Sequence, residues 1–141
     1  GANGGLHTNY EGKAFAAVKA LTEDGYDFAY IHVEAPDEMG HQGIAKDKIT
    51  AIENVDGKVL NVVLEGLRRA GEDFRLLLLP DHPTPIEVRT HTKEPVPYLL
   101  YDSTKSVEGA ETYSEKTCAL TGKNWPDGYR LIGHLLQEEL C

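Results

Sequence analysis

The feature that most constrains this chain is one long amphipathic run bracketed by short, almost purely apolar ones. From Lys46 to Ala70 the apolar residues Ile49, Ile52, Val59, Val63 and Leu67 recur at spacings of three, four or seven, with Lys, Glu and Arg between them and Gly71 after the end. That pattern predicts a helix over 46–70 with one apolar stripe. Ahead of it, DFAYIHVE (Asp27 to Glu34) is β-rich, of strand length, and stops in a Pro-containing loop. Behind it, FRLLLLP (Phe74 to Pro80) and VPYLLYD (Val96 to Asp102) are uninterrupted enough to predict strands covered on both faces. Strands separated by a long helix imply a right-handed crossover. The expected class is therefore α/β, a mostly parallel sheet flanked by helices.

Three further segments complete the chain. Thr8 to Glu23 carries Thr8 and Glu11 at capping-box spacing, then Phe15, Val18 and Leu21 at a helical period, with Gly25 closing it. Tyr129 to Leu140 reads as a last amphipathic helix. Residues 103–127 are polar and weakly periodic, and are expected to form loop with one short helix. Asp56 interrupts the long helical pattern for no reason visible in the sequence. A length of 141 residues suits one domain, so 1–141 is expected to form a single compact unit.

Charge and cysteine usage narrow the partners. A formal net charge of −9 without a Lys/Arg cluster argues against nucleic acid and against an anionic membrane surface. The apolar runs fall well short of the roughly 20 residues needed to span a bilayer. Two cysteines, Cys118 and the terminal Cys141, make neither a disulfide framework nor a thiolate zinc site. The cytoplasm is the expected compartment.

The chemistry-bearing residues sit where these runs end. APDEMGHQG follows the first and places Asp37 four residues before His41; PDHPTP follows the second and joins Asp81 to His82; His91 lies in RTHTKEP shortly before the third. Ligands of open parallel sheets bind at the carboxyl ends of strands. A solitary loop histidine is ordinarily a solvated side chain, and an Asp before a turn ordinarily caps an amide. Five Asp and His residues gathered at such ends favour metal instead. A set without Cys suits manganese or zinc, or magnesium where oxygen ligands dominate. Five ligands suggest two ions, and a pair about 4 Å apart clamps the oxygens of a phosphoryl transfer. Glu34, Thr84 and His7 are candidates to approach or orient these ligands, whereas His32 is expected to be a buried or sheet-face histidine.

GANGGLHTNYEGKA, HVEAPDEMGHQG and LLLLPDHPTPIEVRTHTKEPVPYLLYDS, in this order, closely resemble the C-terminal part of the archaeal-type cofactor-independent phosphoglycerate mutases of the alkaline phosphatase superfamily. The resemblance covers nearly the whole chain. It implies two divalent ions, commonly manganese, flanking a serine that becomes transiently phosphorylated, and an interconversion of 2- and 3-phosphoglycerate that serves glycolysis and gluconeogenesis. It also implies that Asp37, His41 and His91 hold one ion, while Asp81 and His82 help to hold the other. The family's nucleophilic serine and inserted substrate domain have no counterpart here; Ser103, Ser106 and Ser114 all follow the metal motifs. The isolated chain is thus expected to be inactive. Alternatives are another phosphatase or phosphomutase of the same superfamily, or a non-catalytic module that keeps the fold. An exposed sheet edge would favour a homodimer.

Overall fold

The computed structural model describes residues 2–136. Contacts divide the chain into two compact units, Gly1–Glu72 with Thr84–Thr92, and Asp73–Pro83 with Lys93–Cys141.

The first unit is helical. Helix α1 (Tyr10–Thr22) starts at Asn9, whose side chain accepts from the Gly12 amide at 2.9 Å. The cap is thus Asn9 and not the expected Thr8, which is buried and accepts from the Asn3 amide at 3.0 Å. Asn caps at least as well as Thr, and here it stands one residue nearer the first turn. Helix α2 (Ala35–Gln42) has Pro36 in its first turn and ends at Gly43, whose φ of 72° an L side chain resists.

The predicted long helix forms, but in three parts: α3 (Ala45–Val55), a π-helical turn (Asp56–Leu60) and α4 (Asn61–Ala70), closed by Gly71. The π turn lies where Asp56 and Gly57 break the pattern, and it corrects the expected stripe. An α-helix advances about 100° per residue, so one extra residue in a turn sets everything before it back by about that angle. Ala51, eight residues before Val59, therefore shares its face and is fully buried, while Ile52 and Ile49 are 52% and 57% exposed. Val59, within the turn, and Val63 and Leu67, beyond it, are buried as expected. Gly66 lets α4 approach α1 closely, since a Cβ there would lie 2.8 Å from Val18 Cγ1.

Asp27 to Glu34 is not a strand: Asp27 lies in a bend, the residues after it form no ladder, and Glu34 already has the right-handed conformation that leads into α2. An extended segment becomes a strand only when a neighbour completes its ladder. Among the described residues only β1 and β2 pair. The segment lies along α1, where Lys13 Nζ donates to the His32 carbonyl at 2.8 Å, and it leaves Phe28 and Tyr30 largely exposed. His32 is exposed too, contrary to expectation, with Nε2 3.5 Å from Glu34 Oε1.

The second unit contains the sheet. Strands β1 (Arg75–Leu78) and β2 (Leu99–Asp102) pair antiparallel, with Arg75 opposite Asp102 and Leu78 opposite Leu99. The mostly parallel sheet expected of the chain is not what these two strands form, because no helix joins them: residues 79–98 are rich in Pro and turns, and the chain reverses. Their faces are half-buried or exposed rather than covered on both sides. Tyr113, on the following loop, donates to the Pro97 carbonyl at 3.0 Å, and burial pushes its phenol up to about 12. Helix α5 (Glu115–Leu120), capped by Ser114, is the short helix anticipated within 103–127. A 3₁₀ turn (Gly128–Arg130) leads into α6 (Leu131–Leu136); the rest of the predicted last helix lies outside the described residues. Among the described residues no helix is long and apolar enough to cross a membrane.

Candidate metal centre

Asp37 and His41 lie on helix α2, not in the loop expected of them. Four residues is one helical turn, so both side chains leave the same face. His41 Nε2 stands 3.4 Å from Asp37 Oδ2. The segment Thr84–Thr92 brings His91 to the same place, with its Nε2 3.1 Å from His41 Nε2 and 3.5 Å from Asp37 Oδ1.

Two imidazole nitrogens at that separation cannot both carry hydrogens, and two bare lone pairs would repel. The arrangement needs a shared proton or a cation between them. A tetrahedral ion about 2.0–2.1 Å from each ligand would set ligand atoms about 3.4 Å apart. The two nitrogens lie 3.1 Å apart and each faces a different oxygen of the one carboxylate at 3.4–3.5 Å, close to that separation, and two neutral nitrogens with one carboxylate suit a borderline divalent ion. All three side chains are partly open, at 30% exposure for Asp37, 37% for His41 and 50% for His91, so the centre keeps access to solvent.

The scaffold around them is built to hold them still. Thr84 is buried and its hydroxyl donates to Asp37 Oδ1. Lys48, from α3, donates to the Thr84 carbonyl at 2.6 Å. Gly40 makes this approach possible, because a Cβ there would lie 2.5 Å from that carbonyl oxygen. His41 Nδ1 lies 3.0 Å from the Arg89 carbonyl. Lys48 and Arg89 were not singled out in the sequence, and no local signal could have found them: the partners are 36 and 48 residues away along the chain.

In the second unit Asp81 and His82 follow β1 and lie against each other, His82 Nε2 being 3.2 Å from Asp81 Oδ2 and the His82 amide donating to Asp81 Oδ1 at 3.1 Å. Two candidates remain, both in the first unit. Glu34 precedes α2 and faces His32, and His7 is exposed in the turn before α1.

Residues 3–123 match the metalloenzyme superfamily. A 2,3-bisphosphoglycerate-independent phosphoglycerate mutase of Methanothrix thermoacetophila is 44% identical over 136 residues, which is 96% of this chain and 34% of that protein. A probable mutase of the same kind from Geobacter sulfurreducens is 42% identical over 137 residues, and the second such mutase of Methanothermobacter thermautotrophicus is 49% identical over 117. The chain therefore spans about a third of the length of these relatives. Among solved structures, the PH0037 protein from Pyrococcus horikoshii superposes with a TM-score of 0.82 at 26% identity, over 98% of this chain and 40% of that one.

Proposed function

This chain belongs to the metalloenzyme superfamily, and from that premise we propose that it is the metal-binding portion of a cofactor-independent phosphoglycerate mutase. Asp37, His41 and His91 hold one divalent ion, manganese or zinc by the chemistry of the set, and Asp81 and His82 contribute ligands to a second. A divalent ion held there supplies Lewis acidity, neutralising charge on a phosphoryl group in transfer. The whole polypeptide would then interconvert 2- and 3-phosphoglycerate through a phosphoserine. This chain, whose serines Ser103, Ser106 and Ser114 all follow the Asp and His clusters, would bind metal without turning over.

The observation that supports this reading most is the convergence of two imidazole nitrogens and a carboxylate within 3.1–3.5 Å of one another. The names of the relatives supply the reaction. Native mass spectrometry with manganese and with zinc tests the first part: the parent should take up metal specifically, and an Asp37→Ala, His41→Ala double variant should lose it. Absence of binding at millimolar metal would end the metal reading. Mixing the chain with the other two thirds of the Methanothrix relative tests the second, since mutase turnover should appear only in the mixture; a phosphatase activity without isomerisation would reassign the reaction.

A further inference from the structure

A neutral imidazole carries one N–H, and which nitrogen holds it decides which can bind a metal. For His41 the choice is made by its surroundings. Nδ1 faces the Arg89 carbonyl at 3.0 Å, and a carbonyl can only accept, so Nδ1 must carry the proton. Nε2 is left with its lone pair, turned toward His91 and Asp37.

The carbonyl is aimed by an unusual backbone. Arg89 has φ of 58°, the positive value found in no other non-glycine residue among those described. The left-handed conformation is disfavoured for an L residue because Cβ crowds the following carbonyl oxygen. Just before it, the Pro85 carbonyl accepts from the amides of Val88 and Arg89 at 3.1 and 2.8 Å, a helix-like turn that the left-handed residue terminates. The Arg89 side chain is braced as well. It lies over Gly43, where a Cβ would stand 2.4 Å from Arg89 Nε. Gly43 ends the same helix that carries His41, itself at φ of 72°. One costly backbone position, at Arg89, and one that only glycine takes freely, at Gly43, thus converge on one hydrogen bond.

We propose that Arg89 is a positioning residue: its left-handed backbone locks His41 in the Nδ1–H tautomer and so presents Nε2 as the ligand. Only the use made of Nε2 rests on the metal reading above; the tautomer itself does not.

The test is ring ¹⁵N spectroscopy of the metal-free, histidine-labelled chain at about pH 8, where an ordinary imidazole is neutral, followed by zinc titration. Parent His41 should show a protonated Nδ1 and a pyridine-like Nε2. Arg89→Gly, which adopts positive φ freely, should keep that signature and a zinc affinity within about threefold of the parent. Arg89→Val, whose β-branch resists positive φ, should show mixed tautomers and bind zinc about 10–100-fold more weakly. A parent Nε2–H tautomer overturns the proposal outright, whether or not any variant folds, and so does identical behaviour of the two variants. If the parent shows the expected tautomer and yet binds no metal, the positioning stands and the metal reading falls.

Discussion

The Nε2 atoms of His41 and His91 face each other at 3.1 Å across 50 residues of sequence. Nothing in the apolar packing requires two imidazoles to meet edge to edge. Neither ring is buried, so the contact lacks the hydrophobic gain that usually joins aromatic rings. A ligand position explains the meeting better than a core one.

His91→Ala should therefore lower zinc or cobalt affinity by at least about 100-fold, more than the loss of a supporting hydrogen bond costs. Fold stability in the absence of metal should change little, since the side chain is half exposed. Visible absorption of the cobalt-loaded chain reads the affinity, and chemical denaturation reads the stability. A large loss of stability with unchanged metal affinity would make His91 a structural residue.

Thr84→Val isolates the support from the ligand. The hydroxyl donates to Asp37 Oδ1 from a residue only 5% exposed, and valine keeps the shape while removing the donor. A hydrogen bond to a charged group is worth about 1.5–3 kcal/mol where it is well sheltered. Asp37 is 30% exposed, so the expected stability loss is nearer about 1 kcal/mol. Metal affinity should fall about 10-fold. Calorimetric titration beside urea unfolding separates the two effects. Unaltered metal affinity would show that Asp37 holds its orientation without Thr84.

The long helix offers a test of register. Leu67 and Ile52 belong to one stripe when the sequence is read with a uniform helical period, but the π turn places them on different faces: Leu67 is 4% exposed and Ile52 52%. Leu67→Ala should cost about 2–5 kcal/mol and Ile52→Ala no more than about 0.5 kcal/mol. Equal costs would mean that the helix runs through Asp56–Leu60 without the inserted residue.

The same helix shows how far the sequence reaches. Its existence and ends were legible because apolar spacing and Gly71 are local signals. Its phase was not, because a π turn leaves no mark beyond an unexplained Asp56. The segments 74–80 and 96–102 likewise announced strands, whereas their antiparallel pairing depended on a connection that carries no helix. For Asp27 to Glu34 composition was not enough, since a ladder needs a second segment. The Asp and His clusters were visible as residue types at telling positions. The meeting of His91 with His41, and the bracing by Lys48 and Arg89, are products of tertiary structure.

Asp102 gives the second unit an acid limit. The Thr104 hydroxyl and amide donate to its Oδ1 at 2.6 and 3.0 Å, and Lys105 Nζ lies 3.2 Å from Oδ2. Led by Thr104, these contacts hold the carboxyl down to about 2, from an ordinary 3.8. A depressed acid stabilises the fold above its unfolded value, and that contribution disappears as pH falls through the folded one. Asp102→Asn should thus melt below the parent at pH 7, and the gap should close between about pH 4 and pH 2. A gap that is constant across this window would assign the difference to shape and not to charge.

The last prediction concerns the backbone from Asp27 to Val33. It is mostly apolar, with Phe28 46% and Tyr30 76% exposed, and it lacks a ladder partner among the described residues. Unpaired backbone beside exposed aromatic rings is a template for another extended chain. The isolated chain should therefore self-associate as concentration rises, with sedimentation equilibrium showing a reversible dimer. A proline at Ala29 removes one amide donor and resists ladder formation, so Ala29→Pro should shift the equilibrium toward monomer by about 10-fold or more. The substitution should leave α1 and α4 intact, because their mutual packing does not involve residue 29, and far-ultraviolet circular dichroism checks this. A parent that stays monomeric at the highest concentration would show that the segment's own contacts along α1, beginning with the Lys13 bond to the His32 carbonyl, are enough to protect it.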